Sequence, residues 1–395
     1  MIVGIPKESF AGERRVAIVP SVLPSLTKAG LDVLIEPSAG NDAGFLDAAF
    51  TEKGARLAAD RQQVFTDADV LLQVRTLGAN PEAGREDLER LRRGQTVIGF
   101  SEPLSSLDAA KDLAGCGVTA FSLELMPRIT RAQSMDVLSS MATVSGYKAV
   151  LLAAGTAPRM FPMLMTAAGT IKPARVLILG AGVAGLQAIA TARRLGANVE
   201  AYDVRPAVKE QVESLGAKFV ELDLETESAE DKGGYAKAQD DSFYRRQQEA
   251  MAKVVAAANV VLTTALVPGK KAPVLITEAM VDGMESGSVI VDLAAEQGGN
   301  CELTKPARTT VHHGVTLLGP TNLPASVPYH ASQMYAKNIT TFLLHLVKAG
   351  QLTLDLEDQI TRDTLVSRDG AVVNPRVCEL LGISAPSADS ERAGS

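Results

Sequence analysis

The sequence predicts an α/β protein of two doubly wound, parallel-sheet domains joined by two long helices. Three observations carry that expectation: the length, a repeated alternation of short apolar strands with helix-patterned segments, and one glycine-rich turn set between a strand and a helix. At 395 residues the chain exceeds what one small core organises, so two domains are expected. Strands that alternate with helical segments imply parallel sheets, because a parallel pair needs a crossover that a helix supplies.

In the first third, strands are expected at 2–5, 32–36, 70–74, 96–100 and 118–123, with polar helical stretches such as 21–29 and 86–92 between them. A long helical pattern at 134–154 bridges to a second series. Its strands are expected at 175–179, 198–202, 218–220, 260–264, 288–292 and 315–318. A second helical bridge, 331–349, returns the chain to the first domain. The boundaries are therefore drawn at 1–135 with 328–384 for the first domain and 136–327 for the second, followed by a Ser/Ala/Gly-rich tail, 385–395, expected to be disordered. The segment 223–249 breaks the rhythm. It is long, polar and of mixed charge, and it carries Gly233-Gly234-Tyr235. It reads either as a solvated insertion or as a lid over a bound ligand, hinged near the glycines.

Composition removes several function classes. The net charge of −7 argues against nucleic acid, whose phosphates require a basic face. Cys116, Cys301 and Cys378 are far apart and odd in number, so neither a disulfide framework nor a metal-binding Cys pair is read. His312 and His313 are adjacent. On a strand, neighbours point to opposite faces, so no shared metal is expected of them. No stretch of about 20 uninterrupted apolar residues is read as a membrane span; the closest, 149–169, is broken by Pro158, Arg159 and Pro162.

The glycine turn carries the first chemistry. The apolar strand Arg175-Val176-Leu177-Ile178-Leu179 runs into Gly180-Ala181-Gly182-Val183-Ala184-Gly185 and then a helical segment. Gly180 permits the tight turn, Gly182 admits a pyrophosphate against the backbone, and Gly185 lets helix pack on strand. The helix start then offers unpaired N–H groups and a positive dipole end to phosphate. With strand before and helix after, this is the Rossmann dinucleotide signature. Asp203 follows at the end of the next strand, at the spacing of about 20 residues where a carboxylate meets the adenosine ribose. A carboxylate there disfavours a 2′-phosphate, so NAD(H) is read over NADP(H).

A second polar concentration, residues 126–139, joins the first domain to the bridging helix. Arg128, Gln133, Asp136 and Ser139 stand at that junction, where a cleft is expected. Gln133, Asp136 and Ser139 fall at i, i+3 and i+6, so one continuous helix carries them on one side. The plainer alternative is an N-capped helix with solvated polar groups.

Met-Pro-Arg-Ile-Thr-Arg-Ala-Gln-Ser-Met-Asp at 126–136 resembles the junction loop of the NAD(H)-binding component, domain I or alpha subunit, of the proton-translocating NAD(P)+ transhydrogenases. So do Met165–Thr170, Ala184–Ala192, Lys209–Gly216, Gly233–Lys237, Thr264–Gly269, and Asp292-Leu293-Ala294 with Gly298-Gly299-Asn300-Cys301, so that the resemblance runs to about residue 375. It implies that Arg128, Gln133, Asp136 and Ser139 position the nicotinamide end of NAD(H), with Ile129, Thr130 and Arg131 also in the cofactor-binding loop. It implies that Tyr235 closes over the nucleotide, and that Val183, Asp203, Val204, Arg205, Gly234 and Leu266 line the adenosine and pyrophosphate part. It further implies a homodimer that docks on an NADP(H)-binding beta subunit, domain III. A membrane domain II would carry the complex, with this chain peripheral on the cytoplasmic face of the inner membrane. The activity implied is Re/Si-specific hydride transfer between NADH and NADP+, coupled to proton translocation in other subunits.

The alternative is an alanine dehydrogenase-like amino-acid dehydrogenase of the same fold. That family pairs an N-terminal arginine with a lysine and a histidine. Arg15 fits the arginine, but Leu72-Gln73-Val74-Arg75 lacks the lysine and Ile98-Gly99-Phe100-Ser101-Glu102 lacks the histidine; Glu296 stands where an aspartate is expected. Oxidising an amine needs a general base. Hydride transfer between two nicotinamides moves no proton at the reacting carbons and needs aligned rings and excluded water. A third reading, an NAD-sensing or scaffold module without turnover, shares the glycine turn alone.

Overall fold

The computed structural model describes residues 1–222, 241–266 and 271–384. The chain divides into two compact units. Met1–Met141 and the segment from Ala325 onward form the first, and Ala142–Pro324 the second.

The first unit holds an eight-stranded sheet in the order Ala371–Val372, Leu365–Arg368, Thr119–Ser122, Thr96–Phe100, Val70–Arg75, Ile2–Ile5, Asp32–Ile35, Arg56–Leu57. The six strands from the N-terminal part are mutually parallel, and Leu365–Arg368 and Ala371–Val372 add an antiparallel edge. Val70 to Val74 is buried without alternation, as expected for a central parallel strand covered on both faces. Five of these strands are legible as apolar runs. The antiparallel edge is not, because it is short and polar at Ser367, whose hydroxyl donates to the Val118 carbonyl at 3.1 Å.

Among the described residues the second unit holds a seven-stranded sheet in the order Lys218–Phe219, Asn198–Tyr202, Arg175–Leu179, Val260–Thr263, Val289–Asp292, Val315–Leu318, Thr309–His312. The first six are parallel and the last antiparallel. Ranked by sequence among themselves, the six parallel strands have the 3-2-1-4-5-6 order of the Rossmann fold. Alternate residues feed two cores. Val176, Ile178, Val260, Leu262 and Val291 pack with Ala188 and Ile189 on one face, while Leu177, Leu179, Val261, Ile290 and Leu317 pack with Met251 and Val255 on the other. A two-stranded antiparallel hairpin, Leu164–Thr166 with Gly169–Ile171, stands apart from this sheet. It begins inside the apolar run 149–169 noted in the sequence.

Two long helices occur near the expected bridges. Val137–Thr156 contains the division between the units. By length and mean hydropathy alone it could cross a membrane. Its Ala149, Val150 and Ala153 are fully buried in the core of the second unit, so the helix has a protein partner for its apolar side. Pro328–Leu346 lies within the first unit, after the chain has already crossed back.

The structure corrects the expectation for the histidine pair. Thr309–His312 ends at His312, and His313 adopts a left-handed φ of 47° in the turn before Gly314. The strand alternation therefore stops one residue too early to separate the two rings. They stack at 4.4 Å between centroids and both reach Asp282. The three cysteines are free.

Candidate nucleotide site

The turn after Arg175–Leu179 has the geometry its glycines predict. Gly180 sits at φ 98°, a region that side chains avoid. Its N–H donates to the Tyr202 carbonyl at 2.8 Å, and its carbonyl accepts from Thr264 Oγ1 at 2.9 Å. A Cβ built on Gly185 would lie 1.9 Å from the Gly180 carbonyl oxygen, so the helix Val183–Arg194 can pack here only as glycine. Gly182 is different. A Cβ built on it meets nothing within 4 Å, so the turn presents bare backbone to open space. No side chain caps the helix that Gly182 begins, which leaves its first N–H groups for a ligand. Val183 is half-buried beside them.

Asp203 is buried and committed to this turn. Its Oδ2 accepts from the Ala181 N–H at 2.7 Å. Arg205 covers the rest of the carboxylate: its backbone N–H and Nε donate to Oδ1, both at 2.9 Å, and Nη2 donates to Oδ2 at 2.9 Å. Val204 is half-buried between them. The carboxylate thus stands where a ribose is expected, but a ribose hydroxyl must compete with the arginine fork, and the negative charge expected to repel a 2′-phosphate is neutralised.

The loop after Val260–Thr263 completes the wall, with Leu266 exposed at its end. Two residues whose roles the sequence does not reveal hold it. Asn300 is fully buried; its Oδ1 accepts from the Ala265 N–H at 3.0 Å, and its Nδ2 donates to the carbonyls of Ala265 and Pro273 at 2.9 and 2.8 Å. Asp292 in turn accepts from the N–H groups of Asn300 and Cys301 and from both Thr263 and Thr304 hydroxyls. The Ala294 N–H is a fifth donor, at 3.0 Å; the motifs Asp292-Leu293-Ala294 and Gly298-Gly299-Asn300 are visible in the sequence, but an acceptor for five donors is a tertiary fact. Gly234, Tyr235 and most of the expected lid lie outside the described residues.

In the first unit, residues 126–139 do not form one continuous helix. Thr130–Met135 is a 3₁₀ turn, and Asp136 is extended (φ −76°, ψ 90°). The i, i+3, i+6 face is therefore corrected: Asp136 caps Val137–Thr156. Its Oδ1 accepts from the Ser139 N–H at 2.9 Å, and Ser139 Oγ donates to Oδ2 at 2.6 Å. Capping explains both residues without a ligand. Buried Ala132 and Met135 and the bond from Asn338 Nδ2 to the Ser134 carbonyl, 2.8 Å, pin the turn. Arg128, Thr130 and Gln133 are exposed, and Ile129 is half-buried. Arg131 is paired with Asp358 at 2.8 Å. The Gln133 side chain is exposed on a turn that is itself held.

Arg15, the one residue that fits the amino-acid dehydrogenase pattern, is buried and bound in a fork by Glu13, Nε to Oε1 at 2.7 Å and Nη2 to Oε2 at 2.6 Å. Arg75 Nε meets the same carboxylate at 3.1 Å. Burial opposes the Glu13 charge, but the hydrogen bond and charge of Arg15 outweigh it and hold the carboxyl at about 2. Glu8 accepts from the N–H groups of Val74 and Arg75; burial, reinforced by Glu13, pushes it up to about 8. An internal carboxylate thus fills the arginine fork that an amino or oxo acid would need.

The first unit's strands and the Rossmann unit define a two-domain α/β protein of the dehydrogenase type. Residues 4–145 match the alanine dehydrogenase/PNT N-terminal domain and residues 149–375 the alanine dehydrogenase/PNT C-terminal domain. The chain is 48% identical to the first portion of NAD(P) transhydrogenase subunit alpha of Rhodospirillum rubrum, over 95% of this chain and 98% of that one. A solved transhydrogenase from Sinorhizobium meliloti superposes with a TM-score of 0.84 at 44% identity, covering 94% of this chain and all of that one (100%). Alanine dehydrogenase of Mycobacterium tuberculosis is more distant, at 30% identity over 97% of each chain. The chain belongs to the alanine dehydrogenase/PNT family and, within it, to the NAD(P) transhydrogenase alpha subunits.

Proposed function

We propose that this chain is the NAD(H)-binding component of a proton-translocating transhydrogenase. The observation that carries the nucleotide reading is the open backbone at Gly182, set above a helix start with no side-chain cap. Gly180, Gly182, Val183 and Gly185 hold the pyrophosphate. Asp203, with Val204 and Arg205, meets the adenosine ribose, and Leu266 lines the same part of the site. Arg128, Ile129, Thr130, Arg131 and Gln133, with the Asp136–Ser139 cap behind them, orient the nicotinamide end; Gly234 and Tyr235, which lie outside the described residues, are assigned to the same cofactor site by the resemblance alone. When bound, NADH supplies a C4 hydride to NADP+ held by domain III of a partner subunit. No general base is required of this chain, which accords with the absence of a lysine from Leu72-Gln73-Val74 and of a histidine from Ile98-Gly99-Phe100-Ser101-Glu102. Proton movement belongs to a membrane domain II, to which this chain attaches peripherally on the cytoplasmic side.

Mixing the chain with a purified NADP(H)-binding domain and following reduction of an NADP+ analogue by NADH tests the reading. Alanine-dependent NAD+ reduction, with no transfer between nucleotides, would replace it with the amino-acid dehydrogenase. In the same assay Gln133→Asn should slow hydride transfer on the order of 10- to 100-fold, because a reacting ring misplaced by about 1 Å forfeits that much. NADH affinity should change little, since Gln133 is exposed. A large loss of affinity at normal turnover would refute its role.

The homodimer is supported by the hairpin Leu164–Thr166 with Gly169–Ile171, where Met163, Met165 and Ile171 are 58%, 81% and 41% exposed. An apolar projection of this kind needs a cover. Met165→Asp is expected to shift sedimentation from dimer to monomer; an unchanged dimer would place the interface elsewhere.

A further inference from the structure

The second unit carries a cluster that the nucleotide reading does not use. His312 Nε2 and His313 Nδ1 lie 2.7 and 2.8 Å from the same oxygen of Asp282, Oδ1. Glu278 Oε1 is 3.7 Å from His312 Nε2. The three ligand atoms of Asp282, His312 and His313 all lie within 4.8 Å of one another. Two independent features of the backbone produce this convergence. Asp282 and Glu278 stand one turn apart at the two ends of the short helix Glu278–Asp282, so both carboxylates rise on one side. The left-handed φ of His313 folds its ring back over that of His312, stacked at 4.4 Å and 17°.

We propose that Asp282, His312 and His313, with Glu278 as a fourth donor, form a binding site for a divalent transition ion of the Zn2+, Co2+ or Ni2+ type. Imidazole nitrogen with carboxylate oxygen is the donor set these ions prefer. The two ring nitrogens use different positions, Nε2 and Nδ1, yet meet at one carboxylate oxygen. At present the shared oxygen accepts from both rings. A cation at about 2.0–2.2 Å from each donor replaces the protons at that point, and tetrahedral angles then set the donors about 3.4 Å apart, so each imidazole nitrogen moves off the carboxylate oxygen by about 0.6–0.7 Å.

The placement assigns the ion a bracing role. His312 ends the antiparallel edge strand, and the His313-Gly314 turn precedes Val315–Leu318. Val315–Leu318 runs parallel to Arg175–Leu179 through the intervening strands, so the cluster lies at the end of the sheet opposite the glycine turn. A bound ion ties the edge hairpin to the helix Glu278–Asp282 and does not touch the nucleotide.

The test uses the untagged full-length chain, stripped with chelator and titrated with ZnCl2 by calorimetry and with CoCl2 by visible absorption. One ion per chain is expected, with a d–d band of tetrahedral or five-coordinate Co2+ and an upward shift of Tm. His313→Ala and Asp282→Asn should each weaken binding at least about tenfold and remove the Tm shift, while NADH affinity stays at the wild-type value. No saturable binding, or binding unaffected by both variants, overturns the site. A Zn2+-dependent loss of NADH binding would contradict the bracing role.

Discussion

Gly185→Ala is expected to abolish NADH binding and to destabilise the second unit, whereas Gly182→Ala, three residues earlier, should cost affinity alone. At Gly185 the new Cβ would fall 1.9 Å from the Gly180 oxygen and 2.9 Å from its carbon, inside any tolerable contact. The carbonyl it strikes is backbone and also accepts from Thr264, so relief requires the helix Val183–Arg194 to move off its strand. Overpacking of this kind costs about 1–3 kcal/mol, and more when backbone has to shift. That movement also carries away the helix N-terminus meant for phosphate. At Gly182 the added methyl meets no protein atom, and φ of −75° suits any residue. Its only effect is to occupy the space through which a pyrophosphate approaches the backbone. Thermal unfolding and NADH titration of both variants separate the two. Wild-type NADH affinity in Gly182→Ala would remove the turn from the binding site, whatever Gly185→Ala does.

That pair also shows how far the sequence can be read. Gly180, Gly182 and Gly185 are legible because a strand, a φ-permissive turn and a helix are local events, coded within a dozen residues. The central strands are legible for the same reason: Arg175–Leu179, Asn198–Tyr202 and Val315–Leu318 are short, mostly apolar runs whose ends coincide with those in the structure. What is not legible depends on partners distant in sequence or on a single dihedral. The 3₁₀ turn Thr130–Met135 and the extended Asp136 break a helix that periodicity runs straight through, because i, i+3 spacing serves a 3₁₀ turn and an N-cap equally well. One left-handed residue, His313, reverses an argument from strand alternation. Arg205 stands two residues from Asp203, yet that it wraps the carboxylate is a matter of rotamer, which composition does not specify. Glu13 filling the Arg15 fork from two residues away is likewise a matter of rotamer.

The second large effect is expected at Asp292, a residue with no hydrogen bond to the nucleotide turn. It is fully buried, and its two oxygens accept from five donors: Thr263 Oγ1 at 2.8 Å and the Ala294 N–H at 3.0 Å on Oδ1, then the N–H groups of Asn300 and Cys301 at 2.8 and 3.1 Å and Thr304 Oγ1 at 2.7 Å on Oδ2. Asp292→Ala removes every acceptor at once and leaves the donors buried. Bonds to a charged acceptor are worth about 1.5–3 kcal/mol each, and orphaned buried donors add a penalty; because the losses share one group they do not sum, and a total on the order of 3–5 kcal/mol is expected. The functional consequence follows from Asn300. Its amide clamps Ala265 on both backbone groups, so a loosened 292–304 segment releases the loop that carries Leu266 and the Thr264 bond to Gly180. NADH affinity should fall with stability, although Asp292 lies behind the site wall. Asn300→Ala separates the two effects, because it frees Ala265 while Asp292 keeps all five donors, the Asn300 N–H among them: a smaller loss in denaturant midpoint with a comparable loss of NADH affinity is expected. An Asp292→Ala variant that unfolds within about 1 kcal/mol of wild type, a loss typical of an ordinary substitution, would show that the five bonds do not organise this loop, and the clamp would then have to be credited to Asn300 alone.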